Sequence, residues 1–515
     1  PRFTVHGFQY LEISGVDTPP ALEDVQAVVI SSVHSLTAHY ETSHAQVNQL
    51  WSNIVWSNVA NFLTLPTDCP QRNGRLGWSG DLSVFSRTAT YISDAGAFLR
   101  RHLRAMRDTQ HPSGRFPHIA PMGGGIGGVL WGSAGITVAW ESYSQYGDVA
   151  MLREHYPSMV AYIDYLQRTL DPRTGVSTDI QLGDWLSPQY TQIGSALLAT
   201  AYQIYDLDIL TQVATVLGRP EDAARFRKLH RERKAFFNAT FVNADKKAVD
   251  YLPRAVSGHA TAPAELELRV SDIQSAYAVG LALGAFSDDN IPYMQRNLAA
   301  AVERESVDDR GILRPKYSLM TGFIGTAWVN DALTLSGRSD LAYQLLLNRQ
   351  YPSWLYPVEQ GATTIWERLN SYTVADGFGG NNGMNSFNHY AFGAVGQWLM
   401  GHSLGIQRGE AGFQTFVLRP EPDPTRQMTW ARGHYDSPYG RIESAWRLDG
   451  DTLTYTASVP PNTRATLVLP ARSNSGVKEG DIAAAKSPGV KLKSYNNGKA
   501  VFELVSGTYR FTAPQ

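Results

Sequence analysis

The chain of 515 residues carries 45 Lys and Arg against 47 Asp and Glu, 13 His and a single Cys, for a formal charge of −2. A near-neutral chain lacks the cation excess that supplies non-specific affinity for nucleic acid, and one cysteine can neither close an intramolecular disulfide nor build a Cys-rich zinc site. The longest apolar run, Ala276 to Phe286, falls well short of the roughly 20 residues that cross a bilayer, so no membrane span is expected.

The first forty residues alternate apolar and polar, as at Phe3, Val5, Phe8, Tyr10 and Ile13 and again at Val25, Val28 and Ile30, which is the period of a β-strand. Residues 1–40 are expected to be the end of an N-terminal β-domain or linker. The chain starts at Pro1 without Met or a charged-then-apolar leader, so a signal or a longer N-terminal part is expected to precede it. The compartment, cytoplasmic or secreted, is left open.

From about Ser43, a candidate N-cap, the period becomes helical at Val47, Leu50 and Ile54, and helix dominates to residue 411. Three helix junctions share a pattern: Gly147-Asp148, Gly218-Arg219 with Asp222, and Gly337-Arg338 with Asp340. Glycine suits the end of one helix and an acid suits the first turn of the next, so stacked helical hairpins are expected. Between the helices run long loops, at 109–131, 171–192, 250–272 and 371–385; loops of that length in a compact domain are usually functional.

After Gly412 the period returns to two, at Phe413, Phe416 and Leu418 and then at Leu453, Tyr455 and Ala457, with hairpin signals at Asp449-Gly450 and Asn497-Gly498. The expected architecture is mainly α with flanking β: an (α/α)6 barrel over 41–411 and a β-sandwich over 412–515.

Two segments concentrate reactive side chains. Leu65–Asp81 holds Asp68, Cys69, Arg72, Arg75, Trp78 and Asp81 in a loop with two prolines and three glycines, and loops on rigid scaffolds are where catalytic groups gather. Ala362–Arg368 places Glu367 between Trp366 and Arg368, with His389 further on. A carboxylate beside an arginine stays ionised and could act as a base next to a sugar-stacking ring. Helix capping by Asp68 and Asp81 and a structural Glu–Arg pair are the plainer alternatives. Trp78, Trp131, Trp185 and Trp366 lie in or beside loops, where rings suit stacking on a pyranose. No His-Glu-x-x-His, dinucleotide glycine fingerprint after a strand or EF-hand loop occurs, and neither metal nor cofactor is expected.

The strings Pro66-Thr-Asp-Cys-Pro-Gln-Arg72, Arg75-Leu-Gly-Trp-Ser-Gly-Asp81, Gly183-Asp-Trp-Leu186, Tyr351-Pro-Ser-Trp-Leu-Tyr-Pro357, Gly361–Arg368 and Met384–Gly393 resemble, in this order, the motifs of the glycoside hydrolase family 78 α-L-rhamnosidases. The resemblance runs from Tyr10 to the region of Asp436-Ser-Pro-Tyr-Gly440. It implies an inverting exo-glycosidase acting on a small-molecule or oligosaccharide glycoside, with a homodimer left open. Glu367 would be the general base and His389 a sugar-binding neighbour, with Asp68, Arg72, Trp78, Asp81, Trp131, Trp185 and Trp366 binding substrate. The family's general acid stands where this chain has Asn73-Gly74, and the family tends to have Asp where Ser133 stands. Asp184 is the first candidate for a replacement acid, with Asp179, Glu359 and His118 as others. A hydrolase of altered specificity, for a β-glucoside or β-glucuronide, and an inactive sugar-binding relative are the alternatives. Cys69 is expected to be a packing residue beside Asp68.

Overall fold

In the computed structural model the described residues are 8, 10–70, 75–179, 182–253, 266–379, 383 and 385–515. Strand β1 (Ala38–Thr42) leads into α1 (Ala45–Asn61), α2 (Ser79–Ile92), α3 (Gly96–Asp108), α4 (Val129–Gly132), α5 (Ala134–Tyr146), α6 (Val149–Arg168), α7 (Ser195–Val216) and α8 (Pro220–Phe241). A hairpin of β2 (Val249–Pro253) and β3 (Leu266–Val270) precedes α9 (Gln274–Ala282) and α10 (Ile291–Glu303). The pair β4 (Ser306–Val307) and β5 (Leu313–Arg314) precedes α11 (Phe323–Thr326), α12 (Val329–Leu335), α13 (Ser339–Leu347), α14 (Leu355–Glu359) and α15 (Gly396–Trp398).

Helices α2, α5, α7, α9, α11 with α12, and the turn Ala391–Val395 before α15 pack in succession and close back on α2, while α3, α6, α8, α10 and α13 pack outside them. Sequence explains the two rings. Helix α7 buries side chains around its circumference, from Ala196 through Asp206 to Ala214, as a helix enclosed on all sides must. Helix α3 buries Leu99, His102, Leu103 and Met106, one stripe at helical spacing, and keeps its arginines outward.

The turns from an inner helix out to the next outer one are short. Gly147, Gly218 and Gly337 adopt φ of 73°, 68° and 74°, the left-handed conformation that ends a helix, and Asp148 caps α6 by accepting from the Met151 N–H at 2.9 Å. Connections from an outer helix inward are the long ones, at 62–78, 109–128, 169–194, 242–273 and 304–322. Antiparallel hairpins put all the long loops at one end of the barrel, beside the first turns of the inner helices. Ser43 does not cap α1: its hydroxyl accepts from the Thr429 N–H at 2.8 Å, and His44 takes the capping position.

The C-terminal strands form two sheets. One is seven-stranded, ordered β1, β8 (Trp430–Ser437), β9 (Gly440–Asp449), β10 (Thr452–Val459), β16 (Gly507–Pro514), β12 (Lys478–Glu479) and β13 (Ile482–Ala483). The other is ordered β14 (Val490–Asn496), β15 (Lys499–Leu504), β11 (Arg464–Pro470), β7 (Thr415–Leu418) and β6 (Ile406–Arg408). Alternating burial along β10 and β15 places Leu453, Tyr455, Ala457, Ala500, Phe502 and Leu504 inside. Asn497 and Gly498, at φ of 49° and 71°, turn β14 into β15 as a two-residue hairpin with both central residues left-handed requires. The one ladder strand among the described residues before α1 is β1, which pairs antiparallel with β8, Tyr40 opposite Gly433. Strand β6 starts at Ile406, a little before the period change in the sequence, and also belongs to the sandwich.

Candidate active site

The loop from α1 to α2 folds back at Asp68, whose N–H donates to the Leu76 carbonyl at 3.0 Å while its Oδ1 accepts from the Leu76 N–H at 3.1 Å. Cys69 is buried and its thiol donates to Asp68 Oδ2, which is a packing and orienting role. Arg72, Asn73 and Gly74 lie outside the described residues. Beyond them Trp78 bridges to Ile119, and the Ser79 hydroxyl reaches the Trp131 carbonyl at 2.9 Å, tying two of the candidate rings to the start of α2.

Asp81 sits in the first turn of α2, where the helix dipole favours a carboxylate. It is 4 % exposed and lies 3.1 Å from His389 Nε2. Burial pushes the His389 imidazole toward its neutral form, but Asp81, then Glu367 and Asp68, push it the other way and leave its pKa raised. Burial also raises the Asp81 carboxyl, against the pull of His389, so both partners of this close contact are shifted upward and the acids Asp81, Glu367 and Asp68 surround the imidazole.

Glu367 is 3 % exposed. Its N–H donates to the Ser386 carbonyl at 2.9 Å, and the His389 N–H donates to the Ile365 carbonyl at 2.8 Å, so the two motifs that carry Glu367 and His389 are laced together. Helix α1 holds that pair from outside. Asn53 Nδ2 donates to the Ala362 carbonyl, Ser57 Oγ accepts from the Ile365 N–H, and Asn61 Nδ2 donates to Asn388 Oδ1. These three positioning residues were not singled out in the sequence. Their signal was present as a buried polar stripe at spacing four, 53, 57 and 61, on an otherwise apolar face.

The candidate rings divide. Trp131 is enclosed because α2 and the loop before α4 leave room for it: a Cβ on Gly80 would come within 2.4 Å of its ring and one on Gly127 within 2.1 Å. Trp185 is partly buried and meets Tyr190 edge-on at 5.9 Å. Trp366 packs edge-on against Phe387 at 5.1 Å and shares a small void with Leu50, Trp354, Pro357 and Phe392. It buttresses the Glu367 segment from the side of α1 and α14. We expect Gly80→Ala to lower stability by about 1–3 kcal/mol through overpacking against Trp131; thermal unfolding of the variant checks this.

The replacement-acid candidates are all committed elsewhere. Asp184 is fully buried, with Oδ1 accepting from the Gly325 N–H at 2.8 Å and Oδ2 from the Gly322 N–H at 2.7 Å and from Ser275. It braces the Trp185 loop against α11, with both oxygens taken up by donors of the fold. Asp179 is clamped by both nitrogen arms of Arg115 and by Tyr165, and Glu359 pairs with Gln46 and Arg349 beside α1. Burial, then Arg115, lowers His118 to about 4, so at neutral pH it carries no imidazolium proton to give. Ser133 donates to Asp206 Oδ2 at 2.6 Å, and burial pushes that enclosed carboxyl well up. Among the described residues no three His, Cys, Asp or Glu side chains converge as metal ligands, and no helix is long and apolar enough to cross a membrane.

Residues 35–402 match the bacterial alpha-L-rhamnosidase 6 hairpin glycosidase domain, and residues 405–483 the bacterial alpha-L-rhamnosidase C-terminal domain. The chain belongs to the bacterial α-L-rhamnosidase family. An alpha-L-rhamnosidase of Streptomyces avermitilis is 36 % identical over 99 % of this chain and 45 % of its own length. A crystal structure of the Streptomyces avermitilis α-L-rhamnosidase complexed with L-rhamnose superimposes with a TM-score of 0.81 at 34 % identity, covering 94 % of this chain and 43 % of that one. The α-L-rhamnosidase from Dictyoglumus thermophilum gives a TM-score of 0.84 at 28 % identity over 99 % of this chain and 54 % of that one. The chain thus spans about half the length of these rhamnosidase relatives.

Proposed function

We propose that this chain carries the catalytic site of an inverting exo-glycosidase of the α-L-rhamnosidase type, with Glu367 as the base that activates water. The observation that carries the reading is the enclosed cluster of Glu367, His389, Asp81 and Asp68 at the mouth of the barrel. The rhamnose-bound relative supports the choice of sugar. A terminal sugar enters beside Trp78 and Trp185, with the enclosed Trp131 ring packed behind them, and the His389–Asp81 pair and Asp68 hold its hydroxyls. The Glu367 carboxylate takes a proton from water as the water oxygen bonds to the anomeric carbon and the leaving-group oxygen departs from the opposite face. Inverting enzymes keep the two carboxyl groups roughly 6.5–9.5 Å apart to admit that water.

Proton donation to the leaving group is the incomplete half. With glycine at 74 and Asp184, Asp179 and Glu359 bound up in the fold, leaving groups of low pKa are cleaved best, because they depart without a proton. General acid catalysis contributes roughly 10²–10⁴-fold. Gly74→Glu is therefore expected to speed cleavage of alkyl rhamnosides far more than of nitrophenyl rhamnoside; equal effects on both would remove the assignment of position 74.

The deciding experiment is a panel of nitrophenyl glycosides. Fastest release from the α-L-rhamnoside supports the reading. Fastest release from a β-glucoside or β-glucuronide favours altered specificity. Sugar binding with no turnover on any of them would leave a binding protein.

A further inference from the structure

Beside the sugar site lies a second cleft, of about 580 Å³, within the size range of small-molecule sites at about 300–1,000 Å³. It opens between the end of α3, the turn at 111–115 and the glycine loop, and Arg115, Phe116, Tyr165 and Asp179 line it with His111 and Gly124. Its wall is shared with the sugar site. Gly124 accepts from the His118 N–H at 2.8 Å, and the His118 carbonyl accepts from the Ser79 N–H at 2.9 Å, next to Trp78. Three residues beyond Gly124, Gly127 lies against the Trp131 ring. The Asp179 carbonyl accepts from the Val129 N–H at 2.9 Å, at the start of the helix that carries Trp131.

The lining has the chemistry of a neutral polyhydroxyl ligand. Asp179 takes Arg115 Nε at 3.0 Å and Nη2 at 2.9 Å, and the Tyr165 hydroxyl at 3.0 Å. The charges of that pair are therefore matched inside the protein, which leaves Asp108 at the rim as the one unpaired carboxylate among the described lining residues and no unpaired cation for an anionic ligand. Arg115 Nη1 has no acceptor among the described residues, His111 is exposed with its Nδ1 already engaged by Ser113, and the half-buried Tyr165 ring offers an apolar face. Fixed donors beside an aromatic face are what a pyranose takes.

We propose that this cleft is a saccharide subsite, holding the part of an oligosaccharide substrate that lies beyond the bond being cleaved. The proposal rests on the glycosidase reading above. It also gives the glycine loop a role: Gly123, Gly124, Gly125 and Gly128 adopt φ between 72° and 99°, which lets side-chain-free backbone run close along the path from the sugar site to the cleft.

Two variants at the cleft, away from the catalytic cluster, test it: His111→Ala, which removes a side chain from the lining, and Asp108→Trp, which obstructs the rim. Asp108→Trp is expected to lower kcat/KM on a rhamnose-terminated trisaccharide about ten-fold, and His111→Ala less, with nitrophenyl rhamnoside unchanged for both. Calorimetric binding of the trisaccharide to Glu367→Gln should weaken about ten-fold when Asp108→Trp is added. Trisaccharide binding and cleavage unaffected by either variant would overturn the cleft, as would an equal fall on both substrates with unfolding temperature retained. If the protein cleaves no rhamnoside at all, the functional reading fails on its own, and the binding measurement still decides the cleft.

Discussion

Glu367→Gln is expected to lower kcat on nitrophenyl rhamnoside by about 10²–10⁴-fold, the usual worth of a positioned general base. The amide keeps the shape of the side chain but cannot take a proton from water. KM should change little, because binding of the sugar rests on the tryptophan rings and on the His389–Asp81 pair, whose 3.1 Å contact does not involve Glu367. The fold should survive as well, since the segment is held through main-chain bonds to Ser386, Ser57 and Asn53. Restoration of the variant's turnover by azide, entering as a small nucleophile that needs no base, would separate a lost base from a collapsed pocket. Full activity in the variant would remove Glu367 from the mechanism.

The largest expected effect on stability is at Glu141, deep in the barrel. Its Oε1 accepts from Arg87 Nη2 at 2.8 Å and its Oε2 from Arg408 Nη2 at 2.6 Å. Arg87 also lies over the Trp328 ring and 3.6 Å from Asp331, which pairs with His402 at 3.2 Å. Helices α2, α5 and α12 and strand β6 meet in this network, so it joins barrel to sandwich. Removing one member of a buried ion pair leaves charge without compensation and costs about 3–5 kcal/mol. Glu141→Gln is expected to lose stability on that scale, read from the first denaturant transition at pH 7.

The same site has a defined pH signature. Burial pushes the Glu141 carboxyl up, but Arg408 and Arg87 outweigh it and hold the group down at about 2. A carboxyl depressed by the fold contributes stability that is present above its unfolded pKa of about 4.3 and is lost as pH falls toward its folded value. A depression of that size is worth about 3 kcal/mol. The gap between the natural chain and Glu141→Gln should therefore be full at pH 6–7 and shrink between pH 4 and 2. A gap that stays constant over that range would mean that packing, not charge, is what Glu141 contributes.

Much of the architecture was legible because it is decided locally. The glycine at 147 predicts a helix end on the ground that only glycine takes φ of 73° cheaply, and Asn497-Gly498 predicts its hairpin in the same way. The all-round burial of α7 and the single stripe of α3 follow from spacing alone. The long loops and the short glycine turns could each be counted in the sequence; their being opposite ends of one barrel could not.

The site was half legible. Glu367, His389, Asp68 and Asp81 carry their residue types openly, and their motif order pointed to the family. The role of Trp366 was not legible, since a ring beside a candidate base reads equally as a sugar wall or as a buttress until Phe387 and Trp354 are seen against it. Asp184 looked available for proton transfer because nothing near it in sequence satisfies it; its donors, Gly322, Gly325 and Ser275, stand at 275 and beyond. Asn53, Ser57 and Asn61 went unmarked for the same reason: their partners at 362, 365 and 388 are more than three hundred residues away in sequence.

By itself the sequence determined the helical and strand periods, the turns and the motif order that points to the family, since each is written within a few residues. Tertiary structure decided which end of the barrel gathers the long loops, that β1 joins a sheet nearly four hundred residues away, and which carboxyls are bound up by partners elsewhere in the fold. A buried charged or polar group is defined by the partners that compensate it, and in this chain those partners arrive from other segments.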